Sequence, residues 1–115
     1  MTADSRYSVL DISELPPLPC PCGTTRRAFT EPGSVASMHV VEIKADSAVH
    51  YHKMLTETYY VLDGTGTIEL DGDGIAVRPG MAIRIRPGCR HRAIGNLTIL
   101  NVCIPPFNPD DEWEN

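Results

Sequence analysis

Positive charge is scarce in this chain: ten Lys and Arg stand against fifteen Asp and Glu, giving a net charge of −5 and a pI of about 5.2. Such a balance lacks the basic footprint that phosphate backbones and anionic lipid surfaces select, so neither nucleic acid nor a membrane is an expected partner. No apolar run approaches the length of a membrane span, and the polar start Met1-Thr2-Ala3-Asp4-Ser5-Arg6 is followed by no apolar core of a signal peptide. The expectation is a cytoplasmic protein. Long amphipathic helical patterns, internal repeats and interdomain linkers are missing too, which leaves one domain over residues 1–115 with its core at about 24–104. A domain this small commonly gains further burial by pairing, so a homodimer is expected.

Paired cysteine motifs are also lacking. Cys20 and Cys22 flank Pro21 behind the proline-rich run Leu15-Pro16-Pro17-Leu18-Pro19. Two thiols at that spacing can bind zinc, but no second pair stands at a matching distance, and a structural or incidental role is expected. The run itself reads as an extended arm rather than a strand. Cys103 lies in an apolar segment and reads as a small buried residue.

What is present is a series of short strands with regular punctuation. Residues 24–31 and 35–44 are separated by Pro32-Gly33; residues 57–62 form a further strand; residues 65–70 and 75–77 are joined by Asp71-Gly72-Asp73-Gly74, a strong hairpin signal. Residues 82–86 follow Pro79-Gly80, a strand carries His91, and residues 97–104 precede Pro105-Pro106. The remaining acidic tail is expected to pack Phe107 or Trp113 on the body of the fold. The pattern is that of an all-β sandwich or barrel.

Four residues carry chemistry: His50, His52, Glu57 and His91. In an extended segment His50 and His52 point the same way, with Tyr51 opposed. Lys53 to Thr56 supplies a bend before Glu57 opens the next strand, and His91 arrives from a remote segment just after the turn signal Pro87-Gly88. Three imidazoles and a carboxylate, if they converge, suit a divalent transition metal such as iron, manganese, nickel or zinc. Isolated histidines are commonly surface or satisfied core residues, but four ligand-type residues in register argue against that here.

The run His50-Tyr51-His52-Lys53, then Glu57 and Gly64, and later Gly80, Pro87-Gly88 and His91, resembles the two sequence motifs of the cupin superfamily over residues 35–104. The resemblance implies a jelly-roll β-barrel that binds a metal inside through three histidines and a glutamate, and it assigns those roles to His50, His52, Glu57 and His91. Four protein ligands on a six-coordinate metal leave two positions for a small-molecule substrate, or for one substrate atom plus dioxygen. Glu57 is then a candidate to move a proton. Tyr59, which shares its parity, is a candidate to donate a hydrogen bond.

The expected function is that of a metal-dependent enzyme, a dioxygenase or an isomerase or lyase, acting on a small oxygenated or acidic metabolite. The alternative is a non-catalytic module that binds a sugar or metabolite, since fold does not fix reaction. Among the remaining residues, His39 is expected to point inward as a satisfied core histidine, and Asn101 to be a buried amide with partners. Arg84 and Arg86 should face solvent or a subunit interface, and Arg90 and Arg92 should point away from His91. Cys89 shares a face with His91 if alternation holds and would then line the cavity, whose size depends on Tyr59, His39, Met54, Met81 and the tail.

Overall fold

Two long strands organise the chain, and both are longer than the turn residues inside them suggest. The computed structural model describes residues 6–44 and 46–115. Residues 1–5, most of the polar start considered above, and Ala45 lie outside the described residues. Seven strands follow in chain order: β1 (Leu18–Cys20), β2 (Gly23–Ala28), β3 (Ser37–Ile43), β4 (Thr56–Leu70), β5 (Asp73–Val77), β6 (Ala82–Ile85) and β7 (His91–Ile104). Every pairing is antiparallel. The spatial order is β1-β2-β3-β7-β4-β5, with β6 paired to the first part of β4. This is an all-β jelly-roll barrel. No helix among the described residues is long and apolar enough to cross a membrane.

The strands expected at residues 57–62 and 65–70 are one strand. Asp63-Gly64 does not end β4, because the ladder to β7 shifts register between Val61 and Asp63, absorbing Leu62 as a bulge that bends the strand. Gly64 has φ +84, and a Cβ there would run into the carbonyl of Asn96, so glycine is what lets the two long strands close together at the bend. The segment carrying His91 and residues 97–104 likewise fuse into β7, with Gly95 opposite Gly66. The hairpin between β4 and β5 turns on Asp71-Gly72 alone, both with positive φ, and Asp73-Gly74 already belongs to β5.

The proline-rich arm departs from expectation. Leu18–Cys20 pairs with β2, in register Leu18 to Thr25 and Cys20 to Gly23, so its end is an edge strand. Pro19 is tolerated there because an edge position leaves one side of the backbone without a ladder to feed.

Alternation along β4 and β7 places Val61, Ile68, Leu97 and Ile99 inside, joined by Ile83 and Ile85 of β6. Each such side chain contributes about 1.5–3 kcal/mol by leaving water. The opposite face of the same strands exposes Tyr60, as its parity requires. Arg84 and Arg86 face solvent.

The tail is tied down on the segment between β3 and β4. Trp113 exchanges two backbone hydrogen bonds with Tyr51. Buried Asp111 accepts from the backbone N–H groups of Lys53, Met54 and Leu55 at 2.9, 3.0 and 3.2 Å. That carboxylate satisfies three donors in the bend that precedes Glu57, and Lys53 Nζ covers the Trp113 ring at 3.6 Å. Phe107 packs inward against His39, so both aromatics of the tail are used.

Candidate metal centre

Tyr51 faces away from the site and pairs with the tail, which leaves His50 and His52 on the inner side. His50 is held by a bridge to His91, with paired backbone hydrogen bonds of 3.0 and 2.8 Å. Among the described residues this isolated bridge is the only backbone pairing of His50; the segment is not the regular strand expected for it. Glu57 sits at the second position of β4 and His91 at the first position of β7. Ligand atoms of His50, His52, Glu57 and His91 all lie within 4.8 Å of one another. They form the only cluster of three or more ligand-type side chains among the described residues.

The donor set fits a metal. His91 Nδ1 is 2.9 Å from the Cys89 carbonyl and His50 Nδ1 is 3.1 Å from the Ala48 carbonyl. A carbonyl only accepts, so each Nδ1 carries the proton and each Nε2 presents a lone pair. His91 Nε2 and Glu57 Oε1 then face each other at 3.0 Å, and His52 Nδ1 is 3.3 Å from the same oxygen. Within this cluster His52 Nε2, Glu57 Oε1 and His91 Nε2 are buried and lack a hydrogen-bond partner. Buried acceptors left facing one another are costly, and a shared cation relieves all of them.

The electrostatics of Glu57 and His52 agree, and those of His91 reflect its pairing with the carboxylate. Burial pushes the Glu57 carboxyl up, but His91, His52 and the Asn101 amide outweigh it and hold it below the usual range. Burial opposes charge on His91 as well, yet Glu57 and the Cys89 carbonyl raise its pKa. His52 is lowered, chiefly by burial, against the pull of Glu57. Metal binding needs a neutral imidazole beside an ionised carboxylate, so the raised pKa of His91 marks a proton that a bound ion would displace.

A cavity of about 150 Å³ opens from this cluster. Its walls include Tyr59, Asn101, Ile99, Val41, His39 and Arg27. Asn101 Nδ2 donates to Glu57 Oε2 at 2.5 Å, which fixes the second carboxylate oxygen. Tyr59 shares the inward face with Glu57, as parity requires; burial and then the Glu57 charge push its pKa well above 10, so the hydroxyl keeps its proton. His39 is buried with Nε2 2.7 Å from Ser37 Oγ, the satisfied histidine expected.

Other expectations change. Cys89 does not line the cavity: β7 begins only at His91, so strand alternation does not reach back across Arg90 to Cys89, and it is the Cys89 carbonyl that serves the site. Met54 is exposed and Met81 packs on the core, so neither shapes the cavity. Cys20 and Cys22 do line it, with Sγ atoms 3.0 Å apart, and among the described residues no third ligand-type side chain joins them. Arg90 lies over the Tyr51 ring and Arg92 pairs with Glu69, both away from the cluster.

Two cavity residues were not legible as such. Glu112 from the tail brings Oε1 to 3.6 Å from His50 Nε2, and no periodicity marks a tail residue. Arg27 on β2 had one available signal, its shared parity with Thr25, which is buried and also lines the cavity.

The fold is that of a small cupin with a His/Glu cluster that could hold a metal ion, and the cupin domain family matches residues 37–100. The chain belongs to the cupin family. A crystal structure of a protein from Planctomyces limnophilus is 39% identical, with a TM-score of 0.91 over 95% of this chain and 97% of that one. Pac13 from Streptomyces, described as a nucleoside dehydratase, is 18% identical, with a TM-score of 0.83 over 96% of this chain and 92% of its own. KdgF from Halomonas sp. is 18% identical, with a TM-score of 0.77 over 90% and 97%. The last two likenesses show the fold alone. No curated protein matches the sequence.

Proposed function

We propose that this cupin is a metal-dependent enzyme that acts on a small oxygenated or acidic molecule. The observation that carries this reading is the set of buried, unpartnered ligand atoms of His52, Glu57 and His91 at the head of a cavity large enough for a small substrate. His50, His52, Glu57 and His91 would hold the ion. Once bound, it would supply Lewis-acid stabilisation of negative charge developing on a substrate oxygen or, if redox-active, access to dioxygen chemistry.

The chain's own residues define the rest. Glu57 has Oε2 on Asn101 and Oε1 toward the histidines, so Oε1 is the oxygen that would hold the ion or, released from it, take up a substrate proton. Tyr59, held protonated, is placed to donate a hydrogen bond to a substrate oxygen. Apolar Val41, Ile43 and Ile99 exclude water around them and strengthen both effects.

The decisive experiment is elemental analysis of protein purified without an affinity tag, beside the His50→Ala variant. Near-stoichiometric metal in the first and its loss in the second support the reading. No metal in either, even after reconstitution, overturns it in favour of a metal-free binding module.

We further propose that the chain acts as one domain and pairs with a second copy. The outer face of β4 and β7 carries Tyr60, Leu100, Val102 and Ile104, of which Tyr60 and Ile104 are about half exposed. An apolar face on so small a barrel is what a dimer contact covers. Light scattering on the eluted protein tests this.

A further inference from the structure

The cavity has two electrostatic ends. At the metal cluster, Glu112 stands 3.6 Å from His50 and acts on His52, His91 and Tyr59. At the other end stands Arg27, which acts on His39 and Cys103. The ladder fixes this separation: Arg27 lies opposite His39, His39 opposite Asn101, and Asn101 opposite Tyr59. From Arg27 to Tyr59 is three strand spacings, roughly 14 Å along a curved wall.

Arg27 lacks what its neighbour has. Arg26 pairs with Glu42 at 3.6 Å, whereas Arg27 has no ion-pair partner among the described residues. Its guanidinium instead lies 4.6 Å from the centroid of the Phe107 ring. Phe107 is itself fixed, because its N–H donates to Ser37 Oγ at 2.9 Å and its ring meets His39 edge-on at 5.6 Å. A guanidinium stacked on a ring keeps its N–H donors in plane and free for an oxyanion. A half-buried cation with unfilled donors on a cavity wall is a binding group in want of a partner.

A second unfilled group lines the same cavity. Asn101 must turn Nδ2 toward Glu57, since an ionised carboxylate only accepts, so Oδ1 is fixed on the other side. Oδ1 is buried and accepts nothing, although Asn101 is only 7% exposed.

We propose that Arg27 anchors an oxyanion of the ligand, so that the cavity takes a small carboxylate- or phosphate-bearing molecule with a hydroxyl or amide donor for Asn101 and oxygen atoms at the metal cluster. Glu112 reinforces one orientation by repelling the anionic end from the other side. The last element rests on the metal reading above; the Arg27 anchor does not.

The test uses zinc-loaded full-length protein labelled with ¹⁵N and ¹³C, titrated separately with acetate, inorganic phosphate and neutral acetamide. The readouts are the Arg27 Nε–H and His39 ring signals. The expected result is a saturable shift of both by at least one anion, with an apparent Kd on the order of 1–10 mM, and binding at least about tenfold weaker for acetamide. Whichever anion binds more tightly names the class. Arg27→Gln should abolish the His39 response while the protein stays folded and zinc content stays at the wild-type value; Arg27→Lys should restore part of it. Acetamide acting as strongly as the anions, neither anion shifting the signals up to about 0.1 M, or an undiminished His39 response in folded Arg27→Gln would overturn the proposal. Zinc analysis of the same samples separates the two readings: anion binding without retained zinc defeats the metal site and leaves the anchor standing.

Discussion

Asn101 on β7 donates its amide to Glu57 on β4 across the longest ladder of the barrel, at 2.5 Å. The pair is diagonal, since Glu57 lies directly opposite Cys103 and Asn101 opposite Tyr59. Thus one carboxylate oxygen is committed to the wall and the other is left for the histidines. The wall by itself orients the carboxylate.

Replacing Asn101 with Leu should therefore weaken metal binding without abolishing it. A lost partner of this kind typically costs about 10–100-fold in metal affinity. Chelator competition on the folded variant measures it, and affinity equal to wild type would show that the amide orients nothing.

His52→Ala and His91→Ala, made separately, should each lose most bound metal while circular dichroism keeps the β signature. His52 and His91 are both buried, so some loss of melting temperature is expected alongside. Full metal retention in both variants would refute the site.

Stability should fall on acidification through His39. Burial first, and then the Arg27 charge, lower its pKa from 6.5 to about 4. Between those values the unfolded chain binds a proton that the folded chain refuses, so stability is complete above pH 6.5 and drains away as pH falls toward 4. The full effect is roughly 3 kcal/mol. Denaturant unfolding of metal-free protein at both ends of that window should show a smaller loss in His39→Gln than in wild type; equal losses would assign the acid sensitivity elsewhere.

Asp111→Ala should destabilise the protein by about 2 kcal/mol or more, because three backbone donors before Glu57 lose their acceptor. Trp113 reports on it: its fluorescence should shift to that of an exposed indole at a lower temperature than in wild type. An unchanged transition would mean that water replaces the carboxylate at no cost.

The ligand set was legible because its spacing is periodic. Alternation put His50 with His52 and Glu57 with Tyr59, and the cupin motif joined His91 to them. What alternation cannot show is a residue whose placement depends on distant closure. Glu112 reaches His50 only because Asp111 and Trp113 pin the tail, and neither obeys a period. Cys89 failed for another reason, since parity was carried back past the start of β7 into the two residues that only link it to the Pro87-Gly88 turn. The strands at β4 and β7 were divided too finely because Asp63-Gly64 and Gly95-Asn96 read as stops, whereas a bulge and two close-packed glycines carry the ladder through.

The β4–β7 ladder also dictates an order of assembly. Its pairs nearest in sequence, Leu70 with His91, close the shortest loop, while Thr56 with Ile104 closes the longest. Chain-closure entropy thus favours zippering from the hairpin end, and a topology so rich in distant pairings folds slowly. Glu57 is locked between Cys103 and Asn101 only in the last steps of that process. Glu57 consequently takes its place beside the histidines only when the barrel is nearly shut, so an ion that needs all four side chains would meet them in the finished fold.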